Sequence, residues 1–173
     1  MQQLVQLYKQ YAGKTPVSCE PLAQAGSNRK YFRLTADDGT TCIGVIGTSK
    51  RENHSFLYLA RHFKEKNLPV PEVYAVSEDE SRYLQENLGN TSLFSALQQG
   101  REANGNYNQE EVELIKRTIK ILPHFQIRGN EGLDYTQLIA PTHFDVETVM
   151  FDLNYFKYCF LKTTDIDFDE VLL

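Results

Sequence analysis

The sequence predicts an α+β fold in which about five short antiparallel strands, interrupted by one long helix, precede a second half that is wholly helical. Three observations carry this. Up to residue 86, short runs rich in Val, Ile, Tyr, Phe and Thr are bounded by Gly, Pro, Asn and Asp, the pattern of strands and turns. Over residues 52–66 the apolar positions Phe56, Leu59, Ala60 and Phe63 instead recur on one helical face, with Arg61, Lys64 and Glu65 elsewhere. From residue 109 onward the apolar spacing is helical, and the chain is rather hydrophobic for its length.

Taken in order, Leu4, Leu7, Tyr8 and Tyr11 predict a short amphipathic helix over residues 3–12, stopped by Gly13 and Pro16 and packed as a lid on the strands after it. Residues 17–22 and 31–34 read as strands either side of a loop at Ala25-Gly26-Ser27-Asn28. Asp37-Asp38-Gly39-Thr40 supplies residues that tolerate positive φ, so residues 41–46 return as a third strand of a hairpin. The helix over 52–66 stops at Asn67. Pro69 and Pro71 then enforce an extended link to a second hairpin, residues 73–76 and 82–85 around a Glu78-Asp79-Glu80 turn.

After Leu88-Gly89, Thr91 or Ser92 caps a short helix through Leu97, and residues 100–108 form a polar connection. Residues 109–125 carry Val112, Ile115, Ile119 and Leu122 on one stripe with Leu114, Ile121 and Phe125 beside it. This face is wide enough to expect more than one packing partner. Residues 145–161, with Val149, Leu153, Phe156 and Phe160, form the last helix.

Composition narrows the function classes. The 173 residues are 41% hydrophobic with a net charge of -5, which argues against a general nucleic-acid-binding surface and leaves room for a small local basic site. No stretch approaches the roughly 20 apolar residues of a membrane span, and the first 12 residues mix Gln and Lys with Leu and Tyr, unlike a secretory segment. A cytoplasmic protein is expected, with neither membrane nor nucleic acid as partner. Cys19, Cys42 and Cys159 have no zinc spacing and are expected to be buried free thiols.

The order helix, strand, Gly-containing loop, strand, strand, helix, strand, strand, Leu-Gly, helix is that of the nucleotide-binding lobe of the protein-kinase-like fold. Three segments add to it: Gly26-Ser27-Asn28-Arg29-Lys30-Tyr31-Phe32-Arg33-Leu34, Asn67-Leu68-Pro69-Val70-Pro71-Glu72-Val73, and Tyr83-Leu84-Gln85-Glu86-Asn87-Leu88-Gly89. Together they resemble the aminoglycoside phosphotransferase and choline kinase superfamily, and within it the bacterial sugar kinases of the N-acetylmuramate/N-acetylglucosamine type. The resemblance implies a nucleotide-binding lobe with its N-terminal helix over residues 1–88. Residues 89–173 would be a linker and the first helices of an incomplete helical lobe.

It also implies roles. Small residues at Gly26, Ser27 and Asn28 let backbone N–H groups approach the phosphates of ATP, with charge added by Arg29. Gln85, Glu86, Asn87 and Leu88 would join the lobes and offer main-chain groups to adenine. Kinases usually hold phosphates with a third-strand Lys paired to a helix Glu, but Cys42-Ile43-Gly44-Val45-Ile46-Gly47 contains no cation. Lys50, Arg51 and Glu52 lie just beyond and either supply that charge from a shifted position or form a solvated helix start.

The superfamily's H-x-D-x-x-x-x-N catalytic segment is not found. The position five after Asp145 in His143-Phe144-Asp145 is Met150, so Asp145 reads as a helix N-cap. Asp165-Ile166-Asp167-Phe168-Asp169 lacks the Gly of a calcium loop, and His54, His62 and His124 show no ligand spacing. No catalytic residue and no metal ligand is assigned.

The expectation is the ATP-binding N-terminal part of a kinase that phosphorylates a hydroxyl of a sugar or similar small metabolite. Mg²⁺ would be held by residues outside the chain, the remaining lobe would be missing, and the chain alone would be inactive. The alternatives are a non-catalytic module that docks a protein partner through exposed helices, and an inactive kinase-like scaffold.

Overall fold

The computed structural model describes residues 1–23, 28–139 and 143–170. The described chain forms two compact units, residues 1–139 and residues 140–173. The first is α+β. Its five strands are β1 (Ser18–Pro21), β2 (Lys30–Thr35), β3 (Thr41–Ile46), β4 (Val73–Val76) and β5 (Arg82–Glu86), and every pairing in the order β1-β2-β3-β5-β4 is antiparallel.

The turns form where the sequence supplies positive φ or a capping oxygen. Between β2 and β3, Gly39 sits at φ 81° and the Asp38 carboxylate accepts the Thr40 N–H at 2.9 Å. Between β4 and β5, the Ser77 and Ser81 hydroxyls donate to Asp79, and together with the Ser81 N–H they hold its carboxyl well below the usual range. Helix α1 (Gln2–Ala12) stops at Gly13 with φ 71°. Helix α2 (Lys50–Glu65) starts two residues before the expected position, because Ser49 is its N-cap and accepts the Glu52 N–H. The chain turns out of it at Asn67, φ 54°, where the Leu68 N–H returns to the Phe63 carbonyl.

The sheet is covered on both faces. Leu4, Leu7 and Tyr8 of α1 pack on Phe32, Leu34, Cys42 and Leu84, so the first helix is a lid as expected. At Gly44 the approach is close enough that a methyl group would come within 2.6 Å of both Leu4 Cδ2 and Leu34 Cδ1. The opposite face carries Ile43, Val45 and Tyr83 and is covered by Leu57 and Phe56 of α2. Each fully buried Leu of these layers contributes about 1.5–3 kcal/mol relative to exposure.

Short helices α3 (Leu93–Ala96) and α4 (Gln98–Glu102) follow, so part of the expected polar connection is helical. Helix α5 (Gln109–Pro123) begins in a capping box whose buried Glu111 also accepts the Gly100 N–H at 2.8 Å. Its α-helical part ends two residues earlier than the spacing predicts. Pro123 lacks the N–H needed to continue the ladder, and His124–Arg128 form a wider π turn closed by Gly129 N–H to the His124 carbonyl.

In the second unit, helix α6 (Val146–Cys159) starts at Asp145, whose carboxylate accepts the Thr148 N–H at 2.9 Å, the expected N-cap. The expectation for the cysteines needs correcting. Cys42 is buried and Cys19 half-buried, but Cys159 is exposed, because α6 carries apolar residues around its whole circumference and no one face of it is enclosed. No helix among the described residues is long and apolar enough to cross a membrane.

Candidate functional site

The candidate site lies on the α2-covered face of the sheet and at the start of α2. Strand register sorts this face into two cross-strand rows, Tyr31–Val45–Tyr83 and Arg33–Ile43–Gln85. Helix α2 covers the first row: Phe56 stacks on Tyr83 at 5.1 Å between ring centroids, and Val45 is fully enclosed. Burial pushes the Tyr83 phenol up to about 12, which keeps it neutral in this apolar row. The second row follows the first along the strands toward the end of β5, and its central Ile43 shares a buried cluster with Leu57 of α2.

Gly26 and Ser27 lie outside the described residues. Asn28 and Arg29 directly precede β2. Arg29 reaches the start of α2, where its Nη2 donates to the Glu52 carbonyl at 3.0 Å and its guanidinium lies 5.5 Å from the centre of the Phe56 ring. The structure therefore brings Arg29 and Glu52 together. The contact is through the Glu52 main chain.

Lys50 and Arg51 occupy the first turn of α2 and line a groove of about 290 Å³ with His54, Glu80 and Gln137. His54 is held from both sides: Nδ1 lies 3.0 Å from Glu80 Oε2, and Nε2 lies 2.9 Å from Gln137 Oε1. The Gln137 amide nitrogen donates to Asp134, which orients its oxygen toward the imidazole. Both His54 partners are thus acceptors and both ring nitrogens donate, an arrangement that selects the imidazolium. The Gln137 hydrogen bond is the largest cause raising the His54 pKa, with Glu80 next.

The rest of α2 facing this segment is similarly tied. Ser55 Oγ donates to the Gln137 carbonyl and accepts the Ile139 N–H, Tyr58 Oη accepts the Asp134 N–H at 2.7 Å, and His62 Nε2 meets the Gly129 carbonyl at 2.8 Å. At the α2–β3 junction, Asn53 is buried and its Nδ2 donates to the carbonyls of Gly47 and Glu80. It locks the loop before α2 to the β4–β5 turn.

Gln85 and Glu86 are the last residues of β5. Gln85 stands in the second row, while the Glu86 N–H donates to the Glu72 carbonyl and the Glu86 carboxylate accepts the Glu72 N–H. Asn87 donates to Thr41 Oγ1 and accepts the Gly89 N–H; Leu88 is 69% exposed. The 85–88 segment is not brought against Lys50 or Arg51. Counting along β2, Arg33 and Arg29 are four residues apart, about 13 Å of extended strand.

Sequence reasoning gave no functional role to Arg33, Asn53, His54 or Asn90. The signal for Arg33 was its alternation with Phe32 and Leu34, which puts it on the opposite face from them. The chain matches no protein-family model and no curated protein. Among the described residues, no group of three or more His, Cys, Asp or Glu side chains is placed to hold a metal ion.

Proposed function

We propose that this chain is the nucleotide-binding lobe of a protein-kinase-like phosphotransferase, with residues 89–173 contributing a linker and first helices of the acceptor lobe. The reading is supported best by one observation: a β1-β2-β3-β5-β4 antiparallel sheet with a helix inserted between β3 and β4, whose first turn is reached by the loop arginine Arg29.

In this reading the adenine of ATP lies along the second row next to Leu88, and the phosphates extend toward Arg29. The distance of about 13 Å along the strand suits an extended nucleoside triphosphate. β3 carries no cation, and Arg29 supplies the charge in place of the usual third-strand Lys. Lys50 and Arg51 add positive potential at the start of α2. The transferred γ-phosphoryl group would go to a hydroxyl of a sugar or similar metabolite. The Mg²⁺ ligands would lie in the rest of the acceptor lobe, and turnover by the chain alone is not expected.

The test is equilibrium binding of a fluorescent ADP analogue to the 173-residue chain. Weak, saturable binding that ATP displaces and Arg29→Ala weakens severalfold supports the reading. Binding that ATP does not displace, or that Arg29→Ala leaves unchanged, overturns it.

A second reading, a docking module, is favoured by α6, where Val146, Phe151, Tyr155 and Tyr158 are all exposed. A helix apolar all round is normally enclosed. Saturable capture of a folded partner that is lost when Phe151 and Tyr155 are changed to Ser would favour it over the kinase reading if nucleotide binding fails.

A further inference from the structure

We propose that Arg33 and Asn90 form a clasp that closes the nucleobase end of this cleft, and that an adenine nucleotide binds when the clasp opens. This rests on the nucleotide-binding reading above and names how access to that site is regulated. Arg33 stands on β2 and Asn90 follows β5, which lies on the far side of β3. Two strand spacings, about 9.6 Å, separate β2 from β5. Arg33 Nη2 nevertheless donates to Asn90 Oδ1, so the side chain reaches from β2 toward the segment after β5 on the face that carries Ile43. Gly89, at φ 91°, provides the turn that precedes Asn90.

The clasped row is closed. Ile43, its central residue, is only 8% exposed and shares a buried cluster with Val45, Tyr83 and Leu57 of α2, so the clasp closes the row at the edge of that cluster. On either side of it stand a buried donor, Arg33 Nε, and a buried acceptor, Gln85 Oε1, neither with a hydrogen-bond partner among the described residues. With no partner for either group among the described residues, the closed arrangement is disfavoured locally and is held by the Arg33–Asn90 hydrogen bond.

A ligand that opens the clasp relieves both. Adenine suits the vacated row: its exocyclic amino group donates to Gln85 Oε1, a ring nitrogen accepts from Arg33, and its flat face lies on Ile43. The clasp therefore sets the fraction of binding-competent chains and lowers apparent nucleotide affinity by that fraction.

The experiment uses the full 173-residue chain carrying Ile43→Cys in a Cys42→Ala background, with Asn90 unchanged, Asn90→Ala or Asn90→Asp. Alkylation at position 43 is read by mass spectrometry, and the denaturation midpoint confirms that each variant is folded. Asn90→Ala is expected to speed alkylation severalfold, and Asn90→Asp, which offers Arg33 a carboxylate, to slow it. Equal rates in all three overturn the clasp, whatever the nucleotide result. In the chain without Ile43→Cys, Asn90→Ala should tighten binding of the fluorescent ADP analogue severalfold and Asn90→Asp weaken it. Unchanged or opposite effects where the unsubstituted chain binds overturn the regulatory role. Alkylation rates that move as expected, with no ADP binding by any variant, support the clasp and overturn the nucleotide reading.

Discussion

Asn53 and Gly47 fit together so closely that neither position has room to change alone. Asn53 Nδ2 donates to the Gly47 carbonyl at 3.1 Å, and a methyl group on Gly47 would lie 2.1 Å from Asn53 Oδ1. Gly47→Ala is therefore expected to destabilise the chain by about 1–3 kcal/mol through overpacking, and Asn53→Ala by about 1–3 kcal/mol because two carbonyls lose their donor. The double variant should lose clearly less than the sum, since removing the amide makes room for the methyl. Denaturant unfolding of the three variants checks this; strict additivity would show that the two side chains do not share that space.

His54 makes the junction between α2 and residues 134–139 pH-dependent. Its pKa is raised by the Gln137 hydrogen bond and then by Glu80. A histidine raised on folding contributes stability that is fully present below its ordinary pKa of about 6.5 and is lost as pH rises through the folded value. The stability difference between the unsubstituted chain and His54→Ala should therefore shrink as pH is raised above about 6.5. Denaturation midpoints from below that pH upward provide the measurement. A difference that is flat with pH would mean that the imidazole binds its two partners as a neutral ring. The side chain is 45% exposed, so high salt should reduce the Glu80 part of the effect.

How far each feature was legible in the sequence depends on the range of the interactions that make it. The strands, α2 and both hairpins were readable because their determinants are local: Asp38 and Gly39 in one turn, Asp79 and Glu80 in the other, Asn67 at the end of α2. The Asp145 cap was readable for the same reason. The site depends on partners far apart in sequence. Arg33 meets Asn90 57 residues on, and His54 meets Gln137 83 residues on, and no periodicity signals either pairing. The π turn after Pro123 is an intermediate case. The proline was visible inside the expected helix, but the chain continues past it in a wider turn because Phe125 finds Phe63, edge to face at 5.4 Å.

Gly44 tests whether α1 belongs to the folded unit. Any side chain at this position must displace Leu4 or Leu34, both fully buried. Leu4→Ala is expected to cost about 2–5 kcal/mol. Gly44→Ala should also destabilise the unsubstituted chain, and should cost less in the Leu4→Ala background, where the space beside Leu34 is partly vacated. If removal of Leu4 leaves the denaturation midpoint unchanged, α1 does not contribute to the core of the sheet.

The three thiols should react in the order of their exposure. Cys159 is exposed, Cys19 half-buried with its thiol raised by burial, and Cys42 buried under α1 with its pKa pushed up to about 11. The thiolate is the reactive form, so at about pH 8 Cys42 is protonated as well as inaccessible. Under native conditions a maleimide should label Cys159 fast and Cys19 more slowly, and Cys42 only through opening of the sheet. The Cys42 rate should then rise with denaturant in step with global unfolding, and Leu4→Ala should raise it as the α1 lid is weakened. Labelling of Cys42 as fast as that of Cys159 would show that α1 does not cover β3 in solution, removing the layer on which the burial of Leu34 and Leu84 depends.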